Sequence, residues 1–359
     1  MISNVLRWLF LLVSGLVLVV GLSPSMQRWL DQHGYIPNQY IYGDLYNLTN
    51  LPGFKEDDFM ANDKLAEADK PARHYHDVDL YTIGDSFTDI DTSFYAGNRN
   101  AHIWVGFKPP TLVTLDSTKK NILVIQFIER VLQERLYWPD YQRMYMDAGY
   151  ALKNPPTAAV TQVKKNPNPV PAPSAPRWLS ARFAEQINQR LEFLLFNGWL
   201  ATRFKEAKAQ LMLTLFGRVT GGFISKDRQH LFYQAEVDTA YVLSAFRKIP
   251  DQKLDTVVNN LNTMRQHYLR MGFDEVYLCM VPNKVTVLEP TYGRYNHQIE
   301  RIEAHPWLQM PFISTIDSLR QHPDWYHLGD GHWNNQGKRF WLRQVNQLVA
   351  QWSREPEGR

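Results

Sequence analysis

Short runs of β-type and apolar residues recur along this chain in alternation with stretches of helical spacing, and that alternation restricts the fold more than any other feature. Val78–Ile83, Ala101–Phe107, Ile122–Phe127 and Glu275–Met280 read as strands, and Pro311–Ile316 as a short final one. Phe87–Tyr95, Leu254–Met271 and Gln336–Gln351 read as helices between or after them. Strands alternating with helices imply an α/β fold with a mostly parallel sheet. Open sheets of that kind carry their sites at the carboxyl ends of the strands. With 359 residues the chain can bury a large core. The pattern favours one main domain with insertions.

The first strand runs into Tyr81-Thr82-Ile83-Gly84-Asp85-Ser86-Phe87-Thr88, so the Ser86 hydroxyl is expected where that strand ends. A serine alcohol is a weak nucleophile. It needs a base within hydrogen-bond reach and a third group that fixes the tautomer of the base. Near the other end of the chain, Gly329-Asp330-Gly331-His332-Trp333-Asn334 offers both, with His332 as base and Asp330 as its orienting acid. Asp85, on the same turn as Ser86, reads as a structural cap. No His-x-x-x-His or cysteine companion stands at ligand spacing near His332, so no metal is expected, and no cofactor is expected either.

The Gly84-Asp85-Ser86-Phe87 block at the front and an Asp-x-His block at the back resemble the SGNH (GDSL-type) hydrolase superfamily. Asp330-Gly331-His332-Trp333, with the acid two residues before the histidine and a tryptophan after it, is similar to the alginate O-acetyltransferase-like branch. Ile128-Glu129-Arg130 and Val281-Pro282-Asn283-Lys284 agree with that branch. The serine comes first here and the Asp-His block last, so the chain looks like a permuted relative of the alginate enzymes. The resemblance implies a three-layer α/β/α, flavodoxin-like sheet. It also implies a serine-dependent O-acetyltransferase acting on an extracytoplasmic polysaccharide through an acyl-serine. A carbohydrate or lipid esterase uses the same triad, and a non-catalytic glycan-binding subunit of a secretion complex is a further alternative. An acetyl donor would be delivered across the membrane by a membrane-bound O-acyltransferase.

The Gly-x-Asn-Asp block that supplies the SGNH oxyanion asparagine is absent. Arg130, in the Glu-Arg element, is the candidate substitute as oxyanion or substrate-binding residue, against a salt bridge with Glu129 or another acid. Gly97 or Gly106 is a candidate backbone donor. Trp333 either stacks on a sugar or sits in the core. Lys284 reads as structural.

Residues Trp8–Leu22 form an apolar run of about 15 residues, short of the roughly 20 of a full span, with Arg7 ahead of it. An uncleaved anchor (residues 1–25) and a cleaved signal peptide are the two readings, and no Ala-x-Ala site follows. With Arg7 inside, the rest of the chain faces the periplasm or cell exterior from the inner membrane. Residues 26–77 read as an irregular connection and 78–152 as the first half of the catalytic domain. Residues 153–230 read as a Pro-rich loop and helical insertion, and 231–359 as the second half. Within the insertion, Leu179–Leu215 has a basic amphipathic pattern that suits either a hairpin packed on its own domain or a membrane surface. The 39 basic and 36 acidic residues are too balanced to imply nucleic acid as a partner. Cys279 stands alone, which excludes an intramolecular disulfide, and its apolar run marks it as a core thiol.

Overall fold

A computed structural model describes residues 2–33, 35, 42–106, 109–138, 141–153 and 187–354. The described residues fall into two compact units, one within Met1–Asp57 and Thr161–Thr220, the other within Asp58–Val160 and Gly221–Arg359.

The second unit is mixed α/β. Its strands are β1 (Tyr75–Gly84), β2 (Gly97–Trp104), β3 (Thr111–Val113), β4 (Lys120–Ile128), β5 (Tyr150–Leu152), β6 (Gly222–Ile224), β7 (Leu231–Tyr233), β8 (Glu275–Val281) and β9 (Phe312–Ile313). Five of them form one sheet in the order β2-β1-β4-β8-β9, every pair parallel. The other four make two small two-stranded ladders. The chain leaves β1 for β2 on one side and then crosses to β4 on the other, so the order reverses between β1 and β4. That reversal opens a crevice at the carboxyl ends of those two strands.

Side-chain alternation explains why helices cover both faces. Tyr81, Ile83, Leu123, Ile125, Leu278 and Met280 point to one face, where they pack with Leu254, Val257, Leu261 and Met264 of the helix Asp251–Met271. Val78, Leu80, Ile122, Val124 and Cys279 point to the other and meet Phe340, Trp341, Val345 and Val349 of the helix Asn335–Trp352. Each fully buried side chain of this size contributes roughly 1.5–3 kcal/mol. The Asp251–Met271 helix ends at Gly272, whose φ of 104° lies in the left-handed region that glycine adopts freely.

Three expectations need correction. The helix over Phe87–Tyr95 does not form, and a turn and the single 3-10 turn Thr92–Phe94 take its place. Thr88, Asp91 and Ser93 are the cause, because their side chains compete for nearby groups: Thr88 bonds Gln126, and Asp91 accepts the Ser93 N–H. The last strand is only Phe312–Ile313, since a helix already begins at Ile316. The 26–77 connection divides between the units near Asp57, overlaps the helix Pro24–Gln32 and contains the short helices Asp44–Thr49 and Phe59–Asp63.

In the first unit, the helix Ile2–Leu22 begins earlier than the apolar run suggests. Its 19-residue stretch Asn4–Leu22 is long and apolar enough to cross a membrane and is only 11% buried, which is not how a core helix lies. At 1.5 Å per residue it spans about 30 Å, the thickness of a hydrocarbon core. Among its described residues the insertion contains the helices Ile187–Phe196 and Trp199–Phe216, broken at Asn197-Gly198. The Pro-rich stretch 154–176 lies outside the described residues.

Candidate active site

Strand β1 delivers Ser86 to the carboxyl edge of the sheet, beside the crevice. A Cβ on Gly84 would lie 2.0 Å from Thr88 Oγ1 and 2.9 Å from Gln126 Oε1, so only glycine lets the turn close this tightly. The Asp85 N–H and the Thr88 hydroxyl both donate to Gln126 Oε1, at 3.0 and 3.2 Å. Asp85 Oδ1 accepts the Phe87 N–H at 3.1 Å, which is the capping role read from sequence. Ser86 is thereby held half-buried on a turn whose neighbours are buried.

The loop Tyr326–Trp333 brings the other two groups. It is closed by a bridge between Tyr326 and Trp333 and by the Asn334 N–H donating to Trp325 O at 2.7 Å. Asn334 Oδ1 then accepts the Gln336 N–H at 2.9 Å and caps the last helix. Ser86 Oγ stands 2.6 Å from His332 Nε2, and His332 Nδ1 stands 2.6 Å from Asp330 Oδ1. The same carboxylate oxygen accepts the His332 backbone N–H at 2.8 Å, so one acid fixes both the ring and its main chain. With Nδ1–H donated to Asp330, Nε2 is left as the acceptor of the serine proton. The acid is buried while the imidazole is about one quarter exposed.

Trp333 is fully buried and donates its indole N–H to Phe87 O at 2.9 Å. It ties the histidine loop to the serine turn and has no face open to a sugar, which settles its two readings in favour of the core. Gly337 makes room for it, since a Cβ there would lie 2.4 Å from Trp333 Cβ. Lys284, 1% exposed, donates to the carbonyls of Leu328 at 2.7 Å and Asp330 at 3.2 Å and so supports the acid's loop from beneath.

The Glu129-Arg130 element stands at the carboxyl end of β4, across the crevice from Ser86. Arg130 Nη1 donates to Glu236 Oε1 at 2.7 Å, and the guanidinium carbon is 5.9 Å from the Phe87 ring centroid. Glu236, on the short helix Gln234–Val237, is 1% exposed. Burial pushes its carboxyl above the usual range, while the charges of Arg130, Lys284 and His332 pull it down. Glu129 does not pair with its neighbour. Its Oε2 accepts the Asn283 N–H at 2.9 Å, Asn283 Oδ1 accepts the Arg130 N–H at 3.1 Å, and the ends of β4 and β8 are thus cross-linked. Burial pushes the Glu129 carboxyl up to about 7.

Of the two glycine candidates, Gly97 pairs with Tyr75 at the amino end of the parallel β1–β2 ladder, about 30 Å of strand from the serine turn, and cannot serve the site. Gly106 follows β2 at the serine edge, where the Val105 N–H donates to Gly84 O at 2.8 Å. Glu236 escaped sequence reasoning, because an acid in Gln234-Ala235-Glu236-Val237 belongs to no motif and meets Arg130 from 106 positions away. Compared with known proteins, the chain matches no family model, no curated protein and no solved structure.

Proposed function

We propose that this protein is a membrane-anchored, SGNH-like serine O-acetyltransferase that acetylates hydroxyls of an extracytoplasmic polysaccharide. The observation that carries the reading is the linear relay Ser86–His332–Asp330, with both links at 2.6 Å, at the carboxyl edge of an all-parallel sheet. The strand order of the parallel sheet, with helices packed against it, supports a flavodoxin-like three-layer reading and the SGNH assignment. The Asp330-x-His332-Trp333 block supports transfer over plain hydrolysis. The exposed helix Ile2–Leu22, with Arg7 at its inner end, supports an inner-membrane anchor with the catalytic unit outside the cytoplasm.

In this mechanism Ser86 Oγ attacks the acetyl carbonyl of the donor as His332 Nε2 takes its proton. Asp330 stabilises the imidazolium that forms. The tetrahedral adduct collapses, the donor's leaving group receives the proton from His332, and acetyl-Ser86 remains. A sugar hydroxyl then gives its proton to His332 and attacks the acyl carbon, and the proton returns to Ser86 as the serine leaves. The test is to acylate the purified full-length protein with a chromogenic acetyl ester and chase it with oligosaccharides. Acetyl-Ser86 detected by mass spectrometry, consumed faster with an oligosaccharide present and yielding an acetylated sugar, is the expected result. Acylation discharged only to water identifies an esterase, and no acylation identifies a silent subunit.

A further inference from the structure

The helix Trp199–Phe216 carries its side chains the wrong way round for a helix in water. At 100° per residue, Leu200, Phe204, Leu211 and Leu215 fall within about 60° of arc, and each is between 55% and 70% exposed. Glu206, on the opposite face, is buried: Tyr46 Oη donates to its Oε1 at 2.7 Å, and Lys55 and Arg203 stand 3.7 and 3.3 Å from its carboxylate. The one acid of the helix is turned inward and the apolar stripe outward.

The same unit contains the helix Ile2–Leu22. A Cβ on Gly21 would lie 2.4 Å from Leu191 Cδ2, so this helix packs closely on Ile187–Phe196, the insertion helix that precedes Trp199–Phe216. Gly21 is one residue from the end of that helix, the level at which a spanning helix leaves the hydrocarbon. The insertion is therefore fixed at the membrane boundary. Lys205 and Lys208 border the same open hollow as Leu200 and Phe204, which suits a surface of acidic headgroups.

We infer that the Trp199–Phe216 helix is a second membrane contact, lying in the interface of a bilayer rich in anionic lipid with its Leu200/Phe204/Leu211/Leu215 stripe among the acyl chains. The inference rests on the reading of Ile2–Leu22 as a membrane anchor. The arrangement would hold the insertion at a fixed depth, which a lone spanning helix followed by a flexible segment does not do.

Cys279 is the one cysteine and is buried, so single-cysteine labelling is direct. Full-length Phe204→Cys, Gln210→Cys and Leu11→Cys variants, each with a nitroxide probe, are reconstituted into phosphatidylethanolamine–phosphatidylglycerol vesicles, and the accessibility of the probe to oxygen and to a nickel chelate is measured. Gln210 is exposed on the same helix but off the stripe. The expected ratio of oxygen to nickel accessibility is several-fold higher at position 204 than at 210 and highest at 11. A nickel-accessible probe at 204 with position 11 in lipid overturns the second contact and leaves the anchor standing. A nickel-accessible probe at 11 overturns both. A probe at 204 shielded from both reagents shows that protein, a partner or a second copy, covers the stripe, and this too overturns the inference.

Discussion

Asp330–His332 and Glu236–Arg130 are both contacts between a buried carboxylate and a nitrogen-bearing side chain, and Phe87 touches both, its ring 4.6 Å from the imidazole and 5.9 Å from the guanidinium. They differ in what lies beyond that side chain. His332 has a second nitrogen aimed at Ser86, so its pair orients a base toward a hydroxyl. Arg130 spends Nη1 on Glu236 and has no basic nitrogen to offer, so its pair holds charge in place. A carboxylate orients a catalytic base only when the base has two ends, and the same acid against a guanidinium makes a strut.

The variants that break this comparison most sharply are at the relay. Ser86→Ala removes one hydroxyl from a half-buried turn and should lower acyl transfer by about a million-fold, with the melting temperature unchanged within a degree or so. Turnover of a chromogenic acetyl ester beside a thermal melt checks it, and activity within a few-fold of wild type would refute the relay. Asp330→Asn should cost about ten-thousand-fold in kcat, because the amide no longer holds the productive tautomer. A change confined to KM would make Asp330 a binding group instead.

The strut should respond in stability. Arg130→Ala leaves Glu236 buried and unpaired and should destabilise the fold by about 3–5 kcal/mol, while the double variant Arg130→Ala with Glu236→Gln recovers most of that. Turnover per folded molecule should stay within a few-fold. A drop of about a hundred- to a thousand-fold in kcat with an unchanged denaturation midpoint would return Arg130 to the role of oxyanion donor.

The smallest effect belongs to Glu129, the acid beside Arg130 that does not pair with it. Its carboxyl rises from 4.5 to about 7 on folding because burial favours the neutral form. The contribution of this group is therefore full below about pH 4.5 and is lost as the pH rises through about 7, a change on the order of 3 kcal/mol. Glu129→Gln should flatten that part of the stability profile, measured by urea denaturation across the window. An unaltered slope would mean that other groups carry it.

How much of this was legible in the sequence follows from the range of the interactions involved. β1, β4 and β8 were readable because their β-branched and apolar runs report burial on both faces, and each forms within three residues of the expected start. The relay was readable because its residue types are set by chemistry and its two blocks resemble known ones. The missing helix after Ser86 was not, because Thr88 is committed to Gln126, 38 positions away. Trp333 stayed ambiguous because an indole in a core and an indole under a sugar look the same until its N–H is seen to meet Phe87 O. The direction in which the Trp199–Phe216 stripe faces was equally hidden, since periodicity gives the stripe and not the side from which it is covered.

Ser86 and His332 are 246 positions apart. At about 5–20 residues per second, the ribosome needs roughly ten to fifty seconds after making Ser86 before it makes His332. The amino-terminal helix has emerged long before either. For that interval the hydroxyl is an ordinary serine on an unfinished sheet, with no imidazole to sharpen it. On the proposed function the protein is thus born unarmed, and docking of its last helix, which closes the core beside Trp333 and Phe87, is also the event that completes the Ser86–His332 contact.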